Sequence, residues 1–308
     1  MHACAEIMRL VGRYEGLQSP TPELRLRRTN SVRTVHASLR IEGNTLTHDQ
    51  ITAVLAGRKV VGPPKEILEA RNALKVYAKI RTLNPRREAS LLAAHKLMMM
   101  GLADDAGKYR RGQVGIVHRN RVAHIGPPPG RVPGLMANLF QFLRVDESHE
   151  LVKAAVFHYE LEFIHPFSDG NGRMGRLWHH SLLLLLHDVF EHVPLETAIS
   201  ARQSEYYAVL AKCDAAGNST AFVEFALDAV HSALAEFLGE LRPARRTASD
   251  RLQRAKAHFR GAWFARKEYL RLQKGISSAT ASRDLAAGVE SESLESRGTA
   301  RMTRYRFR

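Results

Sequence analysis

The stretch His165–Trp178, HPFSDGNGRMGRLW, decides how the rest of the chain is read. It sets a histidine, an aspartate, an asparagine between two glycines, and two arginines into the join between two strongly apolar segments. Leu151–Ile164 before it and Leu177–Phe190 after it are apolar all the way round, which predicts two central, buried helices. Pro166 disfavours helical backbone at His165, so the first helix is expected to end there. Asp169–Gly172 then reads as a tight loop, with the next helix starting near Arg173. Glycines let the backbone approach a ligand closely, and amides at a helix start point toward an anion. Arg173 and Arg176 are three apart, hence neighbours on the first turn, and add two guanidinium groups to those amides. This is the pattern of a site for several phosphates. Asp169 offers one carboxylate to Mg²⁺, a cation that takes few protein ligands and completes its shell with phosphate and water. His165 stands at the rim, with a side chain suited to general-base work near neutral pH. No GxxxxGK[ST] occurs, which excludes a P-loop.

Working outward, helical periodicity dominates. EILEARNALKVYAKI places Ile67, Ala70, Leu74 and Tyr77 on one face with Ile80 beside them. TAFVEFALDAVHSALAEFL does the same with Phe222, Phe225, Val230, Ala233 and Phe237. One region breaks the pattern. QVGIV (113–117) and RVAHI (121–125) are β-branched and separated by HRN, which predicts a hairpin with Asn120 at its turn. GPPPGRVPG ends it. Upstream, SLRIEGN (38–44) reads by itself as a helix end: Ser38 and Glu42 share a face, Gly43 suits a C-cap, and THDQ starts another helix.

The 308-residue chain has no apolar run long enough for a bilayer and no secretory h-region at its N-terminus. Cys4 and Cys213 form neither a disulfide framework nor a metal-ligand spacing. A cytoplasmic protein with free thiols and no membrane contact is expected. His95 and His158 read as core or supporting residues, and His179–His180 diverge on a helix, so no zinc site is expected.

Charge is unevenly spread. Residues 242–308 carry 17 Lys/Arg against 6 Asp/Glu, whereas the rest is nearly balanced at 29 against 25. Such asymmetry predicts a main domain ending near GELRPARRTASD (239–250) and a basic module with an anionic partner, nucleic acid first among the candidates. FARKEYLRLQKGISSATASRDLAAGV reads as helix, turn and second helix beginning near Ser277 or Ser278, followed by two strand-like pieces around Arg297–Gly298. Ser278, Thr280, Ser282 and Arg283 would face duplex DNA, with Arg297, Arg301, Arg304 and Arg306 near phosphate. Dimerisation or substrate recruitment is the other use of such a module, which leaves a homodimer open.

HPFSDGNGRMGR resembles the signature of the Fic family, HPFx[D/E]GNGRxxR, at every defined position. The resemblance extends to FHYELEFIHPF, QVGIV…PPPGRVP and SEYYAVL, and covers roughly residues 30 to 240. It implies a mainly α fold: a Fic-type helical core over 61–241 with a small β-hairpin flap. An N-terminal helical region with an inhibitory helix (1–60) would precede it, and a winged helix-turn-helix domain (251–308) would follow. The implied activity is transfer of AMP from ATP to a Tyr, Thr or Ser hydroxyl of a target protein. His165 would be the base and Asp169 the Mg²⁺ ligand. Gly170, Asn171 and Gly172 would form the anion turn, while Arg173 and Arg176 would bind the β- and γ-phosphates. Family members that transfer phosphate instead have an altered glycine segment, and this chain does not. Ser38 and Glu42 match the family's inhibitory motif [S/T]xxxE[G/N], which implies that Glu42 pairs with Arg176 and holds the enzyme inactive. In some relatives that glutamate also serves AMP removal, so deAMPylation is an alternative. A DNA-binding regulator that uses the core as a nucleotide sensor is another. The flap implies target docking through Val114, Ile116, Val117, His124 and Ile125. Tyr206 and Tyr207 read either as core or as flanks of the adenine.

Overall fold

The computed structural model describes residues 2–17, 24–118, 121–241, 247–273, 275–299 and 302–308, with the backbone alone for 24–25, 116–118 and 121–124. The chain divides into two units, Met1–Arg242 and Pro243–Arg308.

At the centre of the first unit, α7 (Glu150–Ile164) and α8 (Asn171–Leu186) pack along each other. Both are apolar around most of their circumference, so other helices cover them on every side. Phe157, Met174, Leu177 and Trp178 are fully buried, and the Trp178 indole N–H donates to the Pro85 carbonyl at 3.0 Å. Two boundaries differ from the expectation. α8 starts at Asn171 rather than near Arg173, because Gly170 at φ 86° serves as its N-cap. Asn171 and Gly172 therefore belong to the first helical turn. α8 also stops at Leu186, and 188–192 is a separate 3₁₀ turn whose entry His187 caps by accepting from the Val189 N–H.

The surrounding helices are α1 (His2–Glu15), α2 (Leu24–Ile41), α3 (His48–Leu55), α4 (Pro64–Tyr77), α5 (Glu88–Met98) and α6 (Val132–Val145). They are completed by α9 (Leu195–Ala201), α10 (Gln203–Ala216) and α11 (Thr220–Glu240). The apolar faces read from α4 and α11 are turned inward: Ala70, Leu74, Tyr77, Phe222, Phe225, Val230, Ala233 and Phe237 are all buried. α2 packs against α4 and α9. It ends in a Schellman arrangement, with Gly43 at φ 87° donating to the Arg40 carbonyl and Asn44 to that of Leu39. α3 opens on the Thr47–Gln50 capping box. β1 (Gly115–His118) and β2 (Arg121–Ile125) form an antiparallel pair, Gly115 opposite Ile125 and His118 opposite Arg121, with an irregularity between Ile116 and Val117. The turn expected at Asn120 lies outside the described residues.

The second unit runs α12 (Ala248–Phe259), β3 (Phe264–Ala265), α13 (Arg266–Leu272), α14 (Ser278–Glu290), β4 (Leu294–Arg297) and β5 (Arg304–Phe307). Its antiparallel sheet has the order β3–β5–β4. Phe264, Tyr269, Leu285, Leu294 and Phe307 make its core. Buried Asp284 accepts from Arg251 and from the Tyr269 hydroxyl. No described helix is long and apolar enough to cross a membrane. Both cysteines are buried and unpaired.

The closeness of α7 to α8 is testable at one glycine. A Cβ at Gly175 would lie 2.6 Å from Glu162 Oε1 and 2.8 Å from His158 Cδ2, whereas one at Gly239 in α11 would meet nothing within 4 Å. Gly175→Ala should cost about 1–3 kcal/mol through overpacking. Gly239→Ala should gain about 0.5–1 kcal/mol through helix propensity. Chemical denaturation of the two variants reads the contrast.

Candidate active site

The site lies where α7 ends and α8 begins. His165 closes α7 in the left-handed region, at φ 48° and ψ 61°, with its N–H donating to the Leu161 carbonyl at 2.9 Å. That conformation is unfavourable for a residue with a Cβ and turns the chain out of the helix before Pro166. The imidazole Nδ1 lies 3.3 Å from the Glu162 carbonyl, which can only accept. Nδ1 therefore carries the proton in that bond, and Nε2 is the basic nitrogen.

Asn171 fixes the loop that follows. Its Oδ1 accepts from the Phe167 N–H and its Nδ2 donates to the Phe167 carbonyl, both at 2.9 Å. From below, the His95 ring stacks on Phe167 at 3.7 Å. His95 Nδ1 accepts from the Gly107 N–H, so Nε2–H donates to the Asp169 carbonyl at 3.0 Å. Burial lowers the His95 pKa, consistent with this neutral tautomer. Gly170 has φ 86°, and a Cβ there would lie 2.8 Å from Met99 Sδ, so conformation and space both demand glycine.

The loop before α8 and the first two turns of that helix present the charged groups. The Asp169 side chain is 48% exposed, and its Oδ1 accepts from the Gly170 N–H at 2.6 Å and from Arg173 Nη2 at 3.0 Å. Arg173 Nη1 lies 3.6 Å from Glu69 Oε1, and its Nε is buried without a partner among the described residues. Arg176 is fully buried. Its Nη2 donates to Glu42 Oε1 at 2.6 Å and to the Ser38 carbonyl at 3.0 Å, and its Nε donates to Ser38 Oγ at 3.2 Å. Burial opposes its charge, yet Glu42, with Tyr206 and Glu162 behind it, raises the guanidinium pKa. A Cβ at Gly172 would lie only 2.4 Å from Glu42 Oε1. The Glu42 carboxylate thus rests directly over the helix start, where an anion would be bound by the amides of α8.

The structure places His165, Asp169, Gly170, Asn171, Gly172, Arg173 and Arg176 at the junction of α7 and α8 and adds Ser38 and Glu42 to it. The adenine reading of Tyr206 is corrected. Tyr206 is 1% exposed, and its hydroxyl is spent on His158 Nε2 at 3.1 Å and Glu162 at 3.4 Å, so no ring face is open to a base. Half-buried Tyr207 donates to the Ile41 carbonyl at 3.2 Å, bracing the end of α2. Val114 is half-buried beside the hairpin and Ile125 exposed, while the side chains of Ile116, Val117 and His124 lie outside the described residues.

The adjacent histidines diverge: His179 faces His158, and His180 faces Glu196. Among the described residues no group of three or more His, Cys, Asp or Glu side chains is arranged to hold a metal. In the second unit Arg283 and Arg304 are exposed, Arg297 and Arg306 stack on Trp263, and Ser282 accepts from Arg266. Arg301 lies outside the described residues.

Three polar residues of the site carry no signal in the linear pattern: Glu69, Glu162 and Arg110. Glu69 accepts from Asn44 at 2.9 Å and faces Arg173. Glu162 lies behind Arg176, and its carboxyl is pushed up to about 7, chiefly by burial, with Arg176 opposing and Glu42 adding to the rise. Arg110 Nε donates to the His165 carbonyl at 2.7 Å.

The Fic/DOC family matches residues 85–183. The chain is 31% identical over 246 residues to protein adenylyltransferase fic-1 of Caenorhabditis briggsae, a match covering 74% of this chain and 45% of that one. It is 32% identical over 216 residues to protein adenylyltransferase Fic of Drosophila grimshawi, covering 66% and 42%. The chain spans less than half the length of these curated relatives. Among solved structures, a Fic family protein from Desulfovibrio desulfuricans G20 is 39% identical with a TM-score of 0.75, covering 100% of this chain and 95% of that one.

Glu162 gives the site a measurable pH signature. The folded state keeps its proton up to about 7, whereas the unfolded chain releases it near 4.5, so stability falls as pH rises between those values. Glu162→Gln removes that slope and, relative to wild type, should gain on the order of 2–3 kcal/mol between about pH 5 and pH 8. Urea unfolding at the two pH values measures it, and an identical wild-type–variant difference at both would assign the slope elsewhere.

Proposed function

The chain belongs to the Fic/DOC family, and we propose that it moves AMP from ATP to a Tyr, Thr or Ser hydroxyl of a target protein. The observation that carries this reading is the α7–α8 junction, which carries a basic Nε2, a helix start and two buried arginines. Relatives named protein adenylyltransferases support the choice of reaction.

In the proposed reaction, His165 Nε2 takes the hydroxyl proton as that oxygen attacks the α-phosphorus. The bond from phosphorus to the bridging oxygen breaks, and pyrophosphate leaves. The amides of Asn171 and Gly172, capped by left-handed Gly170, face the negative charge of the phosphates. The side chain of Asn171 holds the loop through its two bonds to Phe167. Arg173, with its unpartnered Nε, and Arg176 bind the outer phosphates. Such transfer depends mainly on positioning and charge stabilisation, which is what this turn supplies. The half-exposed carboxylate of Asp169 fits a cation that takes one protein oxygen, and Mg²⁺ held there would neutralise charge along the triphosphate. The β1–β2 pair would receive an extended segment of the target by strand addition.

We further propose that the enzyme is held inactive by Glu42. Its carboxylate takes the Arg176 donor that the γ-phosphate needs and covers the start of α8. Incubation with α-labelled ATP and Mg²⁺ in a bacterial lysate tests both parts. Glu42→Gly should raise label on protein by about 100-fold over wild type, the scale of one restored charge-stabilising donor. Adding His165→Ala to Glu42→Gly should lower it by about 10²–10⁴-fold. Equal labelling by wild type and Glu42→Gly would remove the inhibitory role, and labelling indifferent to His165 would remove the base.

A further inference from the structure

We infer that Arg110 is a positioning residue that joins the roots of the β1–β2 flap to the end of α7, so that a polypeptide held on the flap is presented in register with His165. The inference rests on the transfer reading above and adds to it a residue outside the HPFSDGNGRMGR turn.

Arg110 is 3% exposed, and among the described residues every acceptor that its guanidinium meets is a main-chain carbonyl. Nε donates to His165 at 2.7 Å, and Nη2 donates to Ile164 at 3.3 Å. These are the last carbonyls of α7, the negative end of its dipole, which helps to balance a buried cation. Nη1 donates to Gly112 at 2.8 Å, and Nη2 also to Pro127 at 2.6 Å. Gly112 and Pro127 bracket the strand pair, one before β1 and one after β2. The Arg110 N–H adds a bond to the Pro166 carbonyl at 2.9 Å. A single planar group therefore fixes both roots of the flap against the carbonyls of Ile164 and of His165 itself.

Planarity matters. A guanidinium presents its donors at fixed angles, so its four acceptors are held in one mutual arrangement; an ammonium on a flexible stem would not do this. The surroundings make room for it. A Cβ at Gly126 would lie 2.9 Å from Arg110 Nη2 and 3.0 Å from Val114 Cγ2, so glycine there keeps the guanidinium in place. The Gly126 N–H donates to the Val114 carbonyl at 3.2 Å, closing the base of the hairpin above Arg110. A two-stranded pair is marginally stable alone, so its aim is set by its roots. The same side chain holds the carbonyl of His165, whose left-handed backbone needs support from its neighbours. Flap and base are thus aimed by one group.

The test uses the full chain with Glu42→Gly as parent, and Arg110→Met, Arg110→Lys and Gly126→Ala added singly. Gly126→Ala leaves Arg110 in the chain and displaces it, which guards against a variant that fails to fold. Amide hydrogen exchange over β1 and β2 should rise by about tenfold or more in Arg110→Met, as expected when charged-donor hydrogen bonds are lost. Gly126→Ala should move it in the same direction. ATP affinity should stay at the parental value, because Arg110 donates to none of the phosphate-site groups. Label transferred to lysate protein should fall by about 100-fold, the cost of a misplacement near 1 Å. Arg110→Lys, which keeps the charge without the fork, should not restore it. Unchanged flap exchange in both Arg110→Met and Gly126→Ala would overturn the inference. So would a loss of ATP affinity equal to the loss of transfer. Should the parent itself transfer nothing, the adenylyltransferase reading fails, and flap exchange still decides whether Arg110 sets the flap.

Discussion

The guanidinium of Arg176 has 1% of its surface open to water, and its environment is arranged to supply counter-charge. Its nearest is Glu42, 134 positions earlier in the chain, at 2.6 Å. Breaking such a pair by removing one partner ordinarily costs about 3–5 kcal/mol, because a charge is left buried and unpaired. Here a second carboxyl lies behind Arg176: Glu162 holds its proton up to about 7, in part because Glu42 opposes its ionisation, so loss of Glu42 favours a carboxylate there. Arg176 is thus built to lose Glu42 without being left alone. That is the property required of a group that exchanges a carboxylate for a phosphate.

The end of α2 is held firmly. Gln203 Nε2 and the Tyr207 hydroxyl both donate to the Ile41 carbonyl, and Arg40 Nε donates to Ser200 Oγ. Gly43 and Asn44 close the helix, and Asn44 reaches on to Glu69, the neighbour of Arg173. Glu42 itself keeps 28% of its side chain exposed. Release on the proposed reading needs rotation of one side chain rather than departure of the helix. Arg173 and Arg176 are also linked through this segment, because the loop that carries Glu42 continues into the contact with Glu69.

Much of this was legible in the sequence, and the reason is local. The helix–loop–helix around His165 is dictated by Pro166, by two glycines and by the apolar runs on either side, all within a short window. The pairing of Glu42 with Arg176 was legible only through the family motif, since nothing in SLRIEGN by itself distinguishes it from an ordinary helix end. α8 starts two residues before Arg173 because left-handed Gly170 caps it, and only the backbone settles where within Asp169–Gly172 the helix begins. Tyr206 and Tyr207 are adjacent, yet one is core and the other braces α2; the packing of Phe222 and Phe225 against Tyr206 decides that. Arg110 and Glu162 were invisible because their partners are backbone carbonyls or buried groups brought near by tertiary folding.

The central claim is that Glu42 and the γ-phosphate compete for one guanidinium. The most direct measurement is calorimetric titration of ATP and ADP, with Mg²⁺, into wild type and Glu42→Gly. Competition predicts little discrimination between the two nucleotides in wild type. It predicts a preference for ATP of about tenfold or more in Glu42→Gly, the worth of one hydrogen bond to a charged group. The same ATP-to-ADP ratio in both proteins would contradict it.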